Sequence, residues 1–185
     1  MCPTRLPDGQ ECGGNVAEKK SIEVGNIFNQ GTKYSDNLGL SFADENGIKN
    51  SVWMGAYGIG VSRLMATIVE VSNDVHGIIW PENVAPYRVH LVALEQPTAN
   101  SQQPTVKDNA EKIYNDLTSV GVEVLYDDRS DKTAGEKFAD ADLIGCPWRV
   151  VVSKKTLEKN SVELKKRNEK ETKPVLVSEI VNHLK

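Results

Sequence analysis

The ten residues MGAYGIGVSR at positions 54–63 combine a glycine-rich run with an arginine in the first turn of a predicted helix. Glycines let a backbone approach a ligand closely, and the N-terminal end of a helix attracts phosphate. Arg63 is unfavourable at that place without a ligand, because the helix terminus is already partly positive. A bound polyanion reverses this cost, and a planar guanidinium also stacks on an adenine ring. These residues therefore indicate a nucleotide-binding loop, with a structural salt bridge of Arg63 as the alternative.

Two familiar phosphate-binding loops do not fit this stretch. Gly58 and Gly60 match only the first two glycines of the dinucleotide fingerprint, and Arg63 occupies the third position. No Gly-Lys-Ser/Thr sequence follows, so the stretch is not a Walker A loop either. What remains is a glycine-rich strand in close contact with another group, followed by an arginine.

A second candidate region is basic, although the whole chain has a net charge of -4. From Arg149 to Lys173 there are nine Lys or Arg residues against four Asp or Glu. This excess indicates a strip that faces phosphates, or alternatively a solvated lysine surface. Asp127, Asp128 and Arg129 follow a predicted strand, where open α/β sheets bind ligands. The alternative for them is an Asx-type turn.

The elements that position these residues change in type near residue 86, where Pro81 and Pro86 flank a short polar link. We therefore predict two domains, at 1–86 and 87–185. The first half contains strands joined by turns and one amphipathic helix from about Val61, which indicates an α+β piece with antiparallel strands.

In the second half strands and helices alternate, apart from a polar loop at 95–104. This order predicts an α/β domain of three layers with a mixed sheet. Thr133 and Glu136 form the capping-box pattern at the start of a helix. The continuous run VVV at 150–152 predicts a central strand, and the alternation in VELKKRN at 162–168 predicts an edge strand guarded by lysines.

The composition, with 39% hydrophobic and 26% charged residues, is ordinary for a soluble globular protein. No apolar run approaches the roughly 18 to 20 residues that a membrane helix needs. Cys2, Cys12 and Cys146 do not suggest a disulfide framework, and two cysteines are too few ligands for structural zinc. We expect a cytoplasmic protein with no membrane contact and no zinc or other protein-bound structural metal.

A glycine-rich strand that runs into a helix opening with arginine resembles motif 3 of class II aminoacyl-tRNA synthetases. From about Ser21 to the end, the chain is similar to the C-terminal part of the bacterial-type prolyl-tRNA synthetase family. The similar segments are, in order, IEVGNIF, GTKYS, MGAYGIGVSRLMA, GIIWPENVAPYRVHL, YDDR and GEKFADADLIGCPWRV, followed by the basic tail. The resemblance implies the end of a class II catalytic domain followed by an anticodon-binding domain.

The family's activity is the ATP-dependent joining of proline to its tRNA through prolyl-adenylate. The resemblance implies ATP and Mg²⁺ as cofactors, proline tRNA as partner, and a homodimer in the full enzyme, with no DNA partner. It places Arg63 in the catalytic role, over the adenine and near the terminal phosphate. Gly58 and Gly60 would share the ATP site.

The resemblance also implies an aminoacyl pocket at Glu23, Asn26, Gly55 and Ala56. Two of these residues depart from the family pattern. Bacterial relatives commonly carry histidine at the position of Asn26 and cysteine at that of Ala56, so the details of proline recognition differ here.

In the family, the C-terminal domain reads the anticodon, and the matching residues here are Phe138, Asp142, Arg149, Lys155 and Lys170. An aromatic ring stacks on an unpaired base, and carboxylate and guanidinium groups bond to base edges. Lysines hold phosphates. The alternatives are a core contact for Phe138 and a mutual salt bridge between Asp142 and Arg149.

Motifs 1 and 2 of class II synthetases are not found in the sequence, so we expect that this chain does not activate proline by itself. A different class of function is a non-catalytic module that binds tRNA or a protein partner and derives from a synthetase. A third, a flavodoxin-like ligand-binding domain, requires a glycine loop that the second half does not contain.

Overall fold

The structure, a computed structural model, describes Cys2, residues 4–95 and residues 105–185. The polar loop predicted at 95–104 lies, from residue 96 onward, outside the described residues. The chain forms two compact units, Met1–Thr67 and Ile68–Lys185. The domain boundary near residue 86 stays a prediction.

The first unit consists of short antiparallel strands and helices. Its elements are β1 (Gly25–Gly31), α1 (Lys33–Leu38), β2 (Ser41–Ala43), β3 (Lys49–Ser51), β4 (Met54–Ile59) and the first part of α2 (Val61–Val71). Strand β1 pairs antiparallel with β4, and β2 pairs antiparallel with β3. Helix α1 is a second helix beyond the one that the sequence indicated, and its N-cap residue Thr32 makes no side-chain cap hydrogen bond.

The second unit contains a small hairpin and a five-stranded mixed sheet with helices. Its elements are β5 (Asn73–Asp74), β6 (Gly77–Ile78), β7 (Val89–Leu94), α3 (Val106–Ser119), β8 (Val124–Asp127), α4 (Ala134–Ile144), β9 (Trp148–Ser153), α5 (Lys154–Leu157), β10 (Ser161–Lys166), β11 (Lys173–Leu176), a 3-10 turn (Val177–Glu179) and α6 (Ile180–Leu184). No helix within the described residues is long and apolar enough to cross a membrane.

The sheet has the strand order β11-β10-β9-β7-β8. Strand β7 pairs parallel with β8 and β9, whereas β10 pairs antiparallel with β9 and β11. The predicted fold class, an α+β piece followed by an α/β domain with a mixed sheet, is confirmed. The predicted central position of residues 150–152 in β9 is confirmed as well.

The edge-strand prediction for 162–168 is wrong. Strand β10 lies between β9 and β11, so β11 is the edge strand on that side. Alternating polar and apolar residues show that one face of a strand is more exposed to solvent than the other. They do not show whether another strand pairs with its edge. The missed neighbour, KPVL, is short and begins with Lys173 and Pro174, residue types that suit an edge.

Local signals at the helix ends fix where the long helices of the second unit begin. Thr105 and Asp108 form a capping box at α3, and Thr133 and Glu136 form the predicted one at α4. Each box satisfies two of the N–H groups that a helix leaves without partners. Helix α4 ends at Gly145, whose φ of 78° is the left-handed conformation that glycine adopts without strain.

One face of the sheet carries the hydrophobic core. Alternate residues of β7, β9 and β10 point to this face, where helices α3 and α6 cover them. The members with almost no exposed surface are Val89, Leu91, Val150, Val152 and Val162 from the strands, with Ala110, Ile113 and Leu117 from α3 and Ile180 and Leu184 from α6.

The opposite face of the sheet carries polar residues and lies under α4. His90 of β7 is in register with Arg149 of β9, and Val92 is in register with Asp127 of β8, so these four side chains share that face. Lys137 of α4 is buried, and its Nζ donates a hydrogen bond of 2.7 Å to a carbonyl near the end of β7. This face positions the charged groups described below.

Candidate functional site

Arg63 is held at the start of α2 by the backbone that precedes β1. Its Nη1 donates a hydrogen bond of 2.7 Å to the carbonyl oxygen of Glu23. The N–H of Gly60 donates to the carbonyl of Val24 at 3.0 Å, which ties the loop to the same segment. Among the described residues, no carboxylate lies within ion-pair distance of Arg63. The alternative of a structural salt bridge therefore finds no partner there.

Gly58 and Gly60, the two glycines before Arg63, differ in what an added side chain would meet. A Cβ on Gly60 would lie 3.4 Å from the Cβ of Arg63, so a side chain there would be in van der Waals contact with the arginine. A Cβ on Gly58 would meet no atom within 4 Å, so packing within the chain does not explain this glycine. The open space at Gly58 allows a ligand to approach the backbone closely.

The predicted aminoacyl residues divide between the two faces of the β1–β4 ribbon. Asn26 is in register with Gly58, and Ala56 lies two residues before Gly58, so these three share one face. Gly55 belongs to the opposite face. The Nδ2 of Asn26 donates to Oε1 of Glu23 at 3.4 Å. The structure thus brings Glu23, Asn26 and Gly58 close together and places Gly55 on the other side.

Three predicted residues of the second unit form what we call the Phe138–Asp142–Arg149 cluster. The Cζ of Arg149 lies 4.7 Å from the centroid of the Phe138 ring. Nη1 of Arg149 donates to Oδ1 of Asp142 at 3.0 Å. The Asp142 side chain is 30% exposed and that of Arg149 15%. The salt bridge that the sequence left open is present, and Phe138 packs against a guanidinium rather than within the hydrophobic core.

The sequence reasoning did not single out two neighbours of Arg149. His90 and Lys165 are each in register with Arg149, on the two strands that flank β9. His90 is almost fully buried, its Nδ1 has no hydrogen-bond partner among the described residues, and burial lowers its pKa. Lys165 adds a second positive group beside the guanidinium. These residues are brought together by the register of the strands, and no local pattern in the sequence predicts that register.

The two predicted phosphate-binding lysines lie in other elements. Lys155 belongs to α5 and lines a cavity of about 320 Å³ together with Lys159 and Thr172. Lys170 is exposed in the turn between β10 and β11. Within the described part of the chain, neither lysine forms a hydrogen bond or ion pair with the cluster.

Asp127 and Arg129 form a closed network at the end of β8. The guanidinium of Arg129 donates to both carboxylate oxygens of Asp127, at 2.9 and 2.7 Å, and to Oδ2 of Asp140 at 2.8 Å. The backbone N–H of Arg129 also donates to Oδ1 of Asp127, which is the Asx-type turn. These hydrogen bonds hold the pKa of Asp127 below its usual range. Asp127 and Arg129 therefore form an Asx-type turn with its own ion pairs, rather than an open ligand site.

Comparisons with known proteins find similar domains over most of the chain. A family model described as "Anticodon binding domain" matches residues 89–185, and one described as "tRNA synthetase class II core domain (G, H, P, S and T)" matches residues 15–72. The proline–tRNA ligase of Geobacillus kaustophilus is 47% identical over 176 residues, which are 95% of this chain and 29% of that protein. The chain belongs to the prolyl-tRNA synthetase family.

Further members of the prolyl-tRNA synthetase family are similar over the same extent. The proline–tRNA ligase of Dehalococcoides mccartyi (strain CBDB1) is 44% identical over 173 residues, 94% of this chain and 29% of the relative. The structure of Cryptosporidium parvum prolyl-tRNA synthetase complexed with L-proline and AMP is 26% identical, with a TM-score of 0.74 over 86% of this chain and 34% of that one.

The Giardia lamblia prolyl-tRNA synthetase, solved in complex with prolyl-adenylate, is similar in fold, with a TM-score of 0.73 at 21% identity over 85% of this chain and 33% of that one. The chain thus corresponds to the C-terminal part of prolyl-tRNA synthetases and spans 29% of the length of the curated relatives named above. The resemblance seen in the sequence is confirmed. The roles of individual residues stay predictions.

Proposed function

We propose that the second unit binds the anticodon of proline tRNA, and that residues 87–185 form the domain that does so. The observation that carries this proposal is the Phe138–Asp142–Arg149 cluster. It joins an aromatic ring, a carboxylate and a guanidinium on one partly exposed surface. Single-stranded bases of RNA are bound by such groups, through stacking and through hydrogen bonds to base edges.

The ion pair within the cluster supports this role. Asp142 uses one carboxylate oxygen on Arg149, and Phe138 supports the plane of the guanidinium from one side. Arg149 is therefore fixed in one orientation before RNA binds, which lowers the entropy cost of recognition. In the part of the chain that the structure describes, its Nε has no hydrogen-bond partner. Lys155 and Lys170 would contact phosphates, which strengthen binding without selecting a sequence.

The test is the affinity of this chain for proline tRNA and for the same tRNA with altered anticodon bases, over a series of salt concentrations. The native anticodon is expected to be favoured by about 1 to 3 kcal/mol per lost base contact. Arg149→Ala removes the preference. The matched control is Lys112→Ala, which removes one positive charge from an exposed position of α3. Equal binding of both tRNAs, weakened only by salt, would show a nonspecific phosphate surface instead.

For the whole enzyme, we propose that Gly58, Gly60 and Arg63 contact ATP. The proline carboxylate attacks the α-phosphate, giving prolyl-adenylate and pyrophosphate, and a terminal ribose hydroxyl of tRNA then takes the prolyl group and releases AMP. The open space at Gly58 and the lack of an ion-pair partner for Arg63, among the described residues, support this assignment. A guanidinium in this position stacks on adenine and offers its other N–H groups to phosphate.

The aminoacyl pocket is proposed at Glu23, Asn26, Gly55 and Ala56, with Gly55, on the other face of the β1–β4 ribbon, contributing its backbone only. The hydrogen bond between Asn26 and Glu23 supports a shared role for these two residues. Mg²⁺ is part of the proposal for the whole enzyme, bound through the phosphates of ATP. No group of three or more potential ligand side chains occurs within the described residues, so no step is assigned to the metal through this chain.

This chain alone is proposed not to activate proline. The measurement is the proline-dependent exchange of pyrophosphate into ATP, and a rate above that of an Arg63→Ala variant would contradict the proposal. The whole enzyme is proposed to be a cytoplasmic homodimer. Three free cysteines agree with a reducing compartment.

A second candidate function is a non-catalytic module that binds tRNA or a protein partner. It is favoured by the position of the hydrophobic core, all of whose members lie between Val89 and Leu184. The two candidates differ in the first unit. Binding of ATP that Arg63→Ala weakens supports the synthetase part, whereas anticodon-selective tRNA binding without any ATP binding supports the module.

A further inference from the structure

The β5–β6 hairpin is connected to the sheet by one buried arginine. Nη1 and Nη2 of Arg167 donate to the two carboxylate oxygens of Asp74, at 2.8 and 2.7 Å. Arg167 is only 8% exposed. The same carboxylate accepts the backbone N–H groups of His76 and Gly77, so it also closes the hairpin turn. A parallel pair of hydrogen bonds of this kind fixes direction as well as distance.

The third side of the same guanidinium reaches helix α4. Nε of Arg167 donates to the backbone carbonyl of Asp142 at 2.9 Å. This carbonyl is among the last four of α4, which lack partners within a helix, and a positive group is favourable there. Arg167 therefore holds the backbone of the residue whose side chain holds Arg149.

Two glycines bring the hairpin into direct backbone contact with the end of α4. A Cβ on Gly77 would overlap the backbone of Asp142 and Leu143, and a Cβ on Gly145 would overlap the carbonyl of Ile78. The N–H of Trp80 donates to the carbonyl of Gly145 at 3.1 Å. The backbones at Gly77 and at Gly145 are therefore too close to their neighbours for α4 to move toward the hairpin.

We propose that Arg167, held by Asp74, is a positioning residue for anticodon discrimination. It sets the place of the Asp142 backbone, and through Asp142 the orientation of Arg149. Lysine cannot replace it, because an ammonium group does not present three donors in one plane. This inference rests on the proposed function of the Phe138–Asp142–Arg149 cluster, and it assigns a role to two residues that do not themselves touch RNA.

The experiment uses the full chain with Asp74→Asn and Arg167→Lys, each first checked by circular dichroism for native secondary structure. The ratio of the dissociation constants for altered and native anticodons is expected to fall by about threefold to tenfold in both variants. The dependence of binding on salt stays as in the unmodified chain, because no phosphate contact is lost. Glu111→Gln, which removes one negative charge on the exposed face of α3, is the matched control and leaves the ratio unchanged.

A second measurement is independent of RNA. The ring current of Phe138 shifts the NMR signals of the Arg149 side chain, and both variants are expected to reduce that shift. If Arg149→Ala abolishes discrimination while Asp74→Asn and Arg167→Lys keep the original ratio and the original shift, this inference is wrong and the proposed function stands. If the unmodified chain shows no anticodon preference, the proposed function is wrong and this inference with it.

Discussion

The two compact units of the chain differ in what they bury. In the second unit, one cluster of buried apolar residues joins the sheet to α3 and α6. In the first unit, Ser35 is the only buried residue among those described, and large apolar side chains are exposed to solvent. Trp53 is 74% exposed and Tyr57 79%. Both units nevertheless have paired strands, although the register of β1 with β4 shifts between Asn29 and Gly31.

This difference shows that regular strands can form in a region that has little buried apolar surface to stabilise it. Backbone pairing gives β1 and β4 their register, but the net contribution of a hydrogen bond is modest, because water bonds to the same groups in the unfolded chain. Apolar burial is the dominant favourable term in folding. We therefore expect the second unit to hold most of the stability of the chain.

The largest expected effect is on a leucine of the core. Leu91→Ala removes a fully buried side chain and leaves a cavity, so the free energy of unfolding falls by about 2 to 5 kcal/mol. Leu38→Ala is the matched change in the first unit, where the side chain is 78% exposed, and it alters stability by no more than about 0.5 kcal/mol. Urea unfolding followed by far-UV circular dichroism measures both. Equal losses would remove the distinction between the units.

A smaller effect is expected at the helix caps. The Oγ1 of Thr133 accepts the N–H of Glu136, so Thr133→Ala lowers the free energy of unfolding by about 1 kcal/mol. Thr32 occupies the same position at α1 without a side-chain cap hydrogen bond, and Thr32→Ala is expected to change little. Thr105→Ala, at the second capping box, serves as a positive control. A loss at Thr32 as large as that at Thr133 would contradict the assignment of the caps.

How much of this fold the sequence could predict depends on the range of the signals. The capping box of Thr133 and Glu136 is a local signal, and α4 begins where it indicated. Helix α1 was missed because GTKYS has turn-forming residues and Thr32 contributes no cap. The prediction that β10 is an edge strand was wrong because β11 pairs with its outer side. The sequence of β10 does not show whether such a neighbour is present.

The candidate site divides in the same way. The residue types of Phe138, Asp142 and Arg149 were found through the family resemblance, and their mutual contacts then follow from α4 and β9. His90 and Lys165 could not be found, because their closeness to Arg149 exists only in the register of three strands. A slip of one residue in either pairing would place them on the other face.

The smallest expected effect is on the pH dependence of stability. Arg129 lowers the pKa of Asp127 in the folded chain below the value of about 3.9 in the unfolded chain. Such a group stabilises the fold fully above about pH 5, and the contribution is lost as the pH falls through the folded pKa. Because the Arg129 side chain is 40% exposed, solvent screening limits the contribution to on the order of 0.5 kcal/mol.

The measurement is the free energy of unfolding between pH 6 and about pH 3. Asp127→Asn is expected to flatten the decline at the acidic end. Asp8→Asn, in the first unit, forms no ion pair among the described residues and provides the control. An unchanged slope in Asp127→Asn would show that the network at the end of β8 does not contribute through its charge.

The glycine contact between the β5–β6 hairpin and α4 also bears on the order of events during folding. Gly77 and Leu143 are far apart in sequence, and the surface that receives the hairpin exists only after α4 has formed and ended at Gly145. Contacts between distant parts of a chain close slowly, because loop entropy opposes them. We therefore expect the hairpin to dock late, so that in pulse-labelled hydrogen exchange the amide of Trp80 becomes protected after that of Val92, and the cluster around Arg149 is completed only in this last step.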